Sequence, residues 1–153
     1  MLPILPLGDR VTGLDKRVCV LLGEDDPNQR ELLEELLSLQ GYETLSAGSP
    51  SELICKLAER PDAVLLDIVG ITSPEVRRAL RRMPRRPALL MVSGDPRLAT
   101  VAEWLGADSY VAKPYEVSVL LDALERALAV REGRLSSPID SCVADLFPSG
   151  SGP

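Results

Sequence analysis

The chain has 153 residues, 45% of them apolar and 26% charged, with a formal net charge of −6. That apolar share excludes a disordered chain and suffices for the core of one domain. The acidic balance argues against nucleic-acid binding by overall electrostatics, and the absence of histidine excludes Ser-His and Cys-His catalysis, histidine zinc sites and a phosphohistidine carrier.

Residues 1–16 contain proline and glycine, show no clear period and read as a tail. The opening MLPILPLGDR has no positive segment before its apolar residues, so it does not read as a signal peptide. From Arg17 to about Val130 short apolar runs alternate with longer segments of helical period. The first run is Val18–Leu22, and it ends in Gly23-Glu24-Asp25-Asp26. After Pro27, Leu32, Leu33, Leu36 and Leu37 repeat at helical spacing, and Gly41 stops that helix. A second run, Glu43–Leu45, precedes Ser49-Pro50 and a shorter stripe of Leu53, Ile54 and Leu57.

The third run, Ala63–Leu66, ends in Asp67. A helix opening at Ser73-Pro74 carries Val76 and Leu80. The fourth run, Ala88–Val92, ends in Ser93-Gly94, and a helix opening at Asp95-Pro96 carries Leu98, Val101, Ala102 and Leu105 before Gly106. The fifth, Ser109–Ala112, ends in Lys113-Pro114, and a last helix carries Val117, Leu120, Leu121, Leu124 and Leu128. In the three helices that open on Ser-Pro or Asp-Pro, a capping oxygen stands just before a proline at the first helical position. Residues 131–153 end in Pro-Ser-Gly-Ser-Gly-Pro and read as a flexible tail.

Continuous apolar runs bounded by turn residues suit strands buried on both faces. Alternation with helices implies right-handed βαβ crossovers, a parallel sheet and helices on both faces. No apolar run approaches the ~18–20 residues of a membrane span. Three widely spaced cysteines, Cys19, Cys55 and Cys142, fit a reducing compartment, so the expected location is the cytoplasm.

Ligands of such sheets bind at the carboxyl ends of the strands. There the sequence gathers the carboxylates Glu24, Asp25, Asp26 and Asp67, the hydroxyl of Ser93 and the ammonium of Lys113. Carboxylates are hard ligands that suit Mg²⁺, and the hydroxyl and ammonium suit a phosphoryl group. Each residue alone also has a plain reading as a helix cap, a solvated turn or a loop. It is their conjunction at four strand ends that points to a site.

The segments VLLGEDDPNQRELL, PDAVLLDI, LLMVSGD and GADSYVAKPY resemble the receiver domain of bacterial two-component response regulators, including the stand-alone chemotaxis type, over Arg17 to about Val130. The resemblance implies a flavodoxin-like (βα)5 fold with strand order 2-1-3-4-5. It implies that Asp67 accepts a phosphoryl group from a histidine kinase or histidine phosphotransfer protein. Mg²⁺ or Mn²⁺ would be held by Glu24, Asp25, Asp67 and the backbone carbonyl of Val69. Ser93 and Lys113 would bind the phosphoryl oxygens, and Ser93 and Tyr110 would form the switch. The Lys113-Pro114 bond is cis in the family. Val69 and Asp95 occupy the positions that flank the hydrolytic water, while Asp26 reads as a cap. The implied module catalyses only its own phosphorylation and slow dephosphorylation. With no output or DNA-binding domain expected in the remaining residues, output would be by protein–protein contact.

Two other readings stand beside this one: a receiver-fold scaffold working without phosphorylation, and a hydrolase using Asp67 as nucleophile. Val69, where such a hydrolase would place a second aspartate, speaks against the last. The stretches from Asp67 to Ser93 and from Ser93 to Tyr110 are shorter than usual in the family, so the third and fourth helices should be clipped. Arg77, Arg78, Arg81, Arg82, Arg85 and Arg86 read as a solvated face or as an anionic docking surface. Trp104 lies on the flank of the fourth helix, as edge packing or, beside Tyr110, as an anchor for a downstream protein. Ile139, Val143, Leu146 and Phe147 have helical spacing in the second tail, which is either disordered or a docking segment.

Overall fold

The structure, a computed structural model, describes residues 17–134. Five parallel strands form one sheet in the order β2-β1-β3-β4-β5: β1 (Cys19–Gly23), β2 (Glu43–Ala47), β3 (Ala63–Leu66), β4 (Ala88–Ser93) and β5 (Ser109–Ala112). Five helices connect and flank them: α1 (Pro27–Leu39), α2 (Pro50–Lys56) with a 3₁₀ turn over Leu57–Glu59, α3 (Pro74–Arg81), α4 (Leu98–Leu105) and α5 (Val117–Arg131). This is the parallel sheet that the alternating pattern implied, in the flavodoxin-like strand order that the family resemblance implied. None of these helices is long and apolar enough to cross a membrane.

The strands are buried on both faces because side chains alternate between two cores. Leu21, Val64, Leu66, Leu89 and Met91 face Leu53 of α2, Val76 and Leu80 of α3, and Leu98, Ala102 and Leu105 of α4. Val20, Leu22, Leu65, Leu90 and Val92 face Leu33 and Leu37 of α1 and Leu120, Leu124 and Leu128 of α5. Each Val, Leu or Met side chain so withdrawn from water contributes ~1.5–3 kcal/mol before chain entropy is counted.

Three helices begin on a proline preceded by a side-chain cap. Asp26 accepts from the Asn28 N–H, Ser49 from Glu52 and Ser73 from Val76. The helix expected to open at Asp95-Pro96 does not: α4 begins at Leu98. The Asp95 Oδ1 accepts both the backbone N–H of Arg97 at 2.8 Å and its Nε at 2.9 Å. That local turn uses up the oxygen that would have capped a helix. Smaller shifts occur elsewhere. β1 runs one residue later than the apolar run, β2 extends to Ala47 to pair with Gly23, and Arg131 belongs to α5 rather than to a tail. Both α3 and α4 are short, at eight residues each. Ile139, Val143, Leu146 and Phe147 lie outside the described residues.

Candidate functional site

Parallel pairing brings the ends of β1, β3, β4 and β5 to one rim, so residues far apart in sequence meet there. Glu24 follows β1, Asp67 follows β3, Ser93 ends β4 and Lys113 follows β5. Glu24, Asp67 and Ser93 are buried. The Lys113 Nζ donates to Asp67 Oδ2 at 2.7 Å, to Glu24 Oε1 at 2.9 Å and to Gln29 Oε1 at 2.6 Å. All three of its N–H bonds therefore have acceptors. The Ser93 hydroxyl donates to Asp67 Oδ1 at 2.8 Å, and the Val69 N–H donates to the same oxygen at 3.2 Å.

Backbone contacts fix the frame. The Asp67 N–H donates to the Gly23 carbonyl at 3.0 Å, the Lys113 N–H to the Ser93 carbonyl at 2.9 Å, and the Thr72 hydroxyl to the Asp67 carbonyl at 2.8 Å. The Lys113-Pro114 peptide is cis. Arg30 of α1 donates to the Glu24 carbonyl at 2.8 Å.

Ionisation follows from this wiring. Burial pushes the Asp67 carboxyl up, but the Lys113 ammonium and the Ser93 hydroxyl outweigh it and hold it below its ordinary value. Glu24 goes the other way: burial outweighs its share of Lys113 and raises it. Burial lowers Lys113, yet Asp67 and Glu24 together hold it above its ordinary value. The rim thus carries an ionised Asp67 beside a fixed cation.

Asp25 is exposed and stands apart from this triad, against the turn after Asp67. A Cβ on Gly70 would lie 2.3 Å from Asp25 Oδ2, and Gly70 has φ +81°, so only glycine lets the turn pass there. Among the described residues no three acidic or cysteine side chains already form a metal cage. Glu24, Asp25 and Asp67 are neighbours on one rim, not a closed ligand set.

The remaining expected residues are placed as follows. Tyr110 on β5 is half-buried against the core beneath α3 and α4. The Val69 side chain is 57% exposed. The Asp95 carboxyl is held down to about 2 by its hydrogen bonds with Arg97. Trp104 is 39% exposed, and the Arg77 guanidinium lies 4.9 Å from its ring centroid.

The arginine run is not one face. Arg77 also donates to the Trp104 carbonyl at 2.8 Å, Arg78 pairs with Glu75 at 3.5 Å, and Arg86 makes a two-pronged bond to buried Asp108 at 2.7 and 3.0 Å. Sequence reasoning missed Gln29 and Asp108. Gln29 lies inside the matching segment after Glu24, and its spacing from the acidic pair puts it on the first turns of α1. Asp108 carries no comparable signal.

A model of the response regulator receiver domain matches residues 20–125. The chain is 38% identical over 122 residues to the transcriptional regulatory protein AfsQ1 of Streptomyces coelicolor, covering 77% of this chain and 54% of that protein. It is 27% identical to the sporulation initiation phosphotransferase F of Bacillus subtilis, covering 73% of this chain and 94% of that one. The chemotaxis response regulator CheY4 of Vibrio cholerae has a similar structure, with a TM-score of 0.64 at 25% identity over 72% of this chain and 98% of that one. Against AfsQ1 and two other regulatory proteins the chain spans 54%, 26% and 51% of their lengths. With most of its length matched by that model, the chain belongs to the response regulator receiver domain family.

Proposed function

We propose that this chain is the phosphoacceptor module of a two-component phosphorelay, with Asp67 as the acceptor. One observation carries the reading. Asp67 is a buried, ionised carboxylate whose two oxygens are aimed by the hydroxyl of Ser93 and the ammonium of Lys113. A strand-end aspartate that only caps a helix or closes a turn is met by neighbouring backbone N–H groups, whereas Asp67 is also met by side chains from the ends of two other strands.

In the transfer an Asp67 oxygen forms a bond to phosphorus as the P–N bond to the donor's imidazole breaks and the imidazole leaves. Lys113 keeps Asp67 ionised beforehand and then offers its charge to the phosphoryl oxygens. Ser93 exchanges its bond to Asp67 for one to a phosphoryl oxygen. A charge-assisted hydrogen bond of this kind is worth ~1.5–3 kcal/mol, enough to bias a two-state switch tens of fold or more. Tyr110, half-buried beside β4, is the side chain that would respond.

The donor set suits Mg²⁺ or Mn²⁺: oxygen ligands only, few of them, with room for retained waters. Asp25, Asp67 and the Val69 carbonyl would hold the ion, with Glu24 acting through water. When bound, the ion neutralises charge on the phosphoryl oxygens. The donor would be a histidine kinase or a histidine phosphotransfer protein. Output would pass to a downstream protein, with the Tyr110 side of the molecule as the candidate surface. The proposed limits of the phosphorylated unit are residues 17–130, with cytoplasmic placement.

The test is mass spectrometry after incubation with a small phosphodonor and Mg²⁺. The expected result is one adduct of about 80 Da that is absent in Asp67→Ala. A folded wild-type protein that takes up no phosphoryl group would turn the reading to a scaffold working without phosphorylation.

A further inference from the structure

A second concavity opens at the other end of the sheet, by the amino ends of β3 and β4. It has a volume of about 670 Å³ and lies where the turn after α2, the end of α3 and the end of α5 meet. Arg60, Arg82, Arg85 and Arg131 line it, with a floor that includes Ile54, Leu57 and Met83. Asp62 is the one acidic lining residue. Its Oδ2 already accepts the Cys19 N–H at 2.9 Å, and its Oδ1 stands 3.7 Å from Arg131.

The charges here are not balanced. Four guanidinium groups face one carboxylate, on a chain whose net charge is −6. The guanidinium groups of Arg60, Arg82 and Arg85 have no hydrogen-bonding or ion-pairing partner among the described residues. The Arg131 side chain is 12% exposed. Burial, then the like charge of Arg85, lower its affinity for a proton. Arg60 closes the 3₁₀ turn over Leu57–Glu59 in the left-handed region, at φ 57°, with its N–H bonded back to the Leu57 carbonyl.

We propose that this cavity binds a small polyanion with an apolar, ring-bearing body, of the nucleoside diphosphate class. The volume is that of a small-molecule site. Guanidinium forks match phosphate oxygens two at a time, and a diphosphate carries about three negative charges at neutral pH, close to the excess in the cavity. The apolar floor gives the ring somewhere to lie and makes a bare inorganic anion an incomplete occupant. The cavity is walled by three elements that meet at its edge, which fits a small ligand better than an extended acidic segment. It stands at the opposite end of the sheet from Asp67, so this proposal does not rest on the phosphoacceptor reading.

The test is calorimetric titration of the full chain at low salt, without Mg²⁺, using ADP and inorganic pyrophosphate as probes. Both should bind at one site, ADP more tightly, with affinity falling as salt rises. Arg82→Ser and Arg85→Ser should each weaken ADP tenfold or more. Both side chains are exposed and have no hydrogen-bonding or ion-pairing partner among the described residues, so these variants should fold, which circular dichroism checks. Asp67→Asn should bind ADP like the wild type. The proposal is overturned if neither probe binds saturably, if the arginine variants bind unchanged, or if Asp67→Asn abolishes binding. Tighter binding of an Asp/Glu-rich peptide at the same arginines would also overturn it, making the cavity a protein-docking site.

Discussion

The two ends of one sheet handle buried charge in opposite ways. At the carboxyl end a single ammonium, Lys113, is shared among Glu24, Asp67 and Gln29. At the amino end Asp108, just before β5, has its own partner: it takes both prongs of Arg86 and the Leu89 N–H at 2.8 Å. A shared cation leaves each carboxylate incompletely compensated, so adding or removing charge there redistributes the rest. A one-to-one pair with a backbone donor has one low-energy arrangement. The first pattern suits a switch and the second suits a clamp.

The largest effect should come from breaking the clamp. Asp108→Ala leaves the Leu89 N–H without its acceptor and Arg86 without its partner, at a cost of about 3 kcal/mol at pH 7. Asp108→Asn keeps the acceptor and should lose about half as much. Urea unfolding measures both. If Asp108→Ala were no less stable than the wild type, the amino end would not be held by this pair, and the contrast between the ends would collapse.

Lys113→Met tests the shared cation and should cost about 2 kcal/mol at pH 7, a cost that depends on pH. Without the ammonium, burial and mutual repulsion raise both the Asp67 and Glu24 carboxyls above their unfolded values. A carboxyl raised on folding destabilises fully above its folded value, and the penalty disappears as pH falls through it towards the ordinary range of about 4. The variant should therefore approach wild-type stability as the pH is lowered from 7 to 5. A loss that is equal at both values would mean the two carboxylates do not share the lysine.

Much of this contrast could be read from the sequence, and the rest could not, for physical reasons. Strands buried on both faces write themselves as apolar runs, so their ends, and with them Glu24, Asp67, Ser93 and Lys113, are legible in the sequence. The edge strand β2 was read short because Ser46 interrupts its apolar run. Asp95-Pro96 misled as a helix start because a capping aspartate and an aspartate closing its own turn have the same local sequence. Nothing local distinguishes Arg86, which reaches a carboxylate 22 residues away, from Arg85, which has none among the described residues. Long-range pairs of polar groups have no period to betray them.

A smaller effect separates the switch from its reset. Hydrolysis of a phosphorylated Asp67 needs a water in line behind phosphorus. Val69 offers no side-chain hydrogen bond to orient it, and Asp95, engaged by Arg97, is a poor base. Phosphate loss after removal of the donor should be slow in the wild type. It should quicken about tenfold in Val69→Asn, where an amide can orient the water without supplying a base. No change in Val69→Asn would place control of access elsewhere, in the turn from Gly70 to Ser73.

The smallest effect concerns the strap between α3 and α4. Arg77, in the early turns of α3, stacks on Trp104 in the last turn of α4 and donates to its carbonyl. Carbonyls in the last turn of a helix lack partners within the helix and attract cations, so one side chain supplies both a cap and a ring contact. The contact is exposed, which limits its worth: about 0.5–1 kcal/mol for the stacking and a similar amount for the hydrogen bond, partly offset by the entropy of ordering Arg77. Arg77→Ala should cost about 1 kcal/mol in urea unfolding. Arg77→Lys keeps the charge but loses the planar fork, and should recover only part of it. Trp104 is the only tryptophan in the chain, so its emission reports on the strap directly. Freed of Arg77, the indole meets more water and its emission should move to longer wavelength, fully in Arg77→Ala and partly in Arg77→Lys. An emission maximum that stays put in Arg77→Ala would show that Trp104 is held by its own helix and that α3 and α4 are not tied at this point.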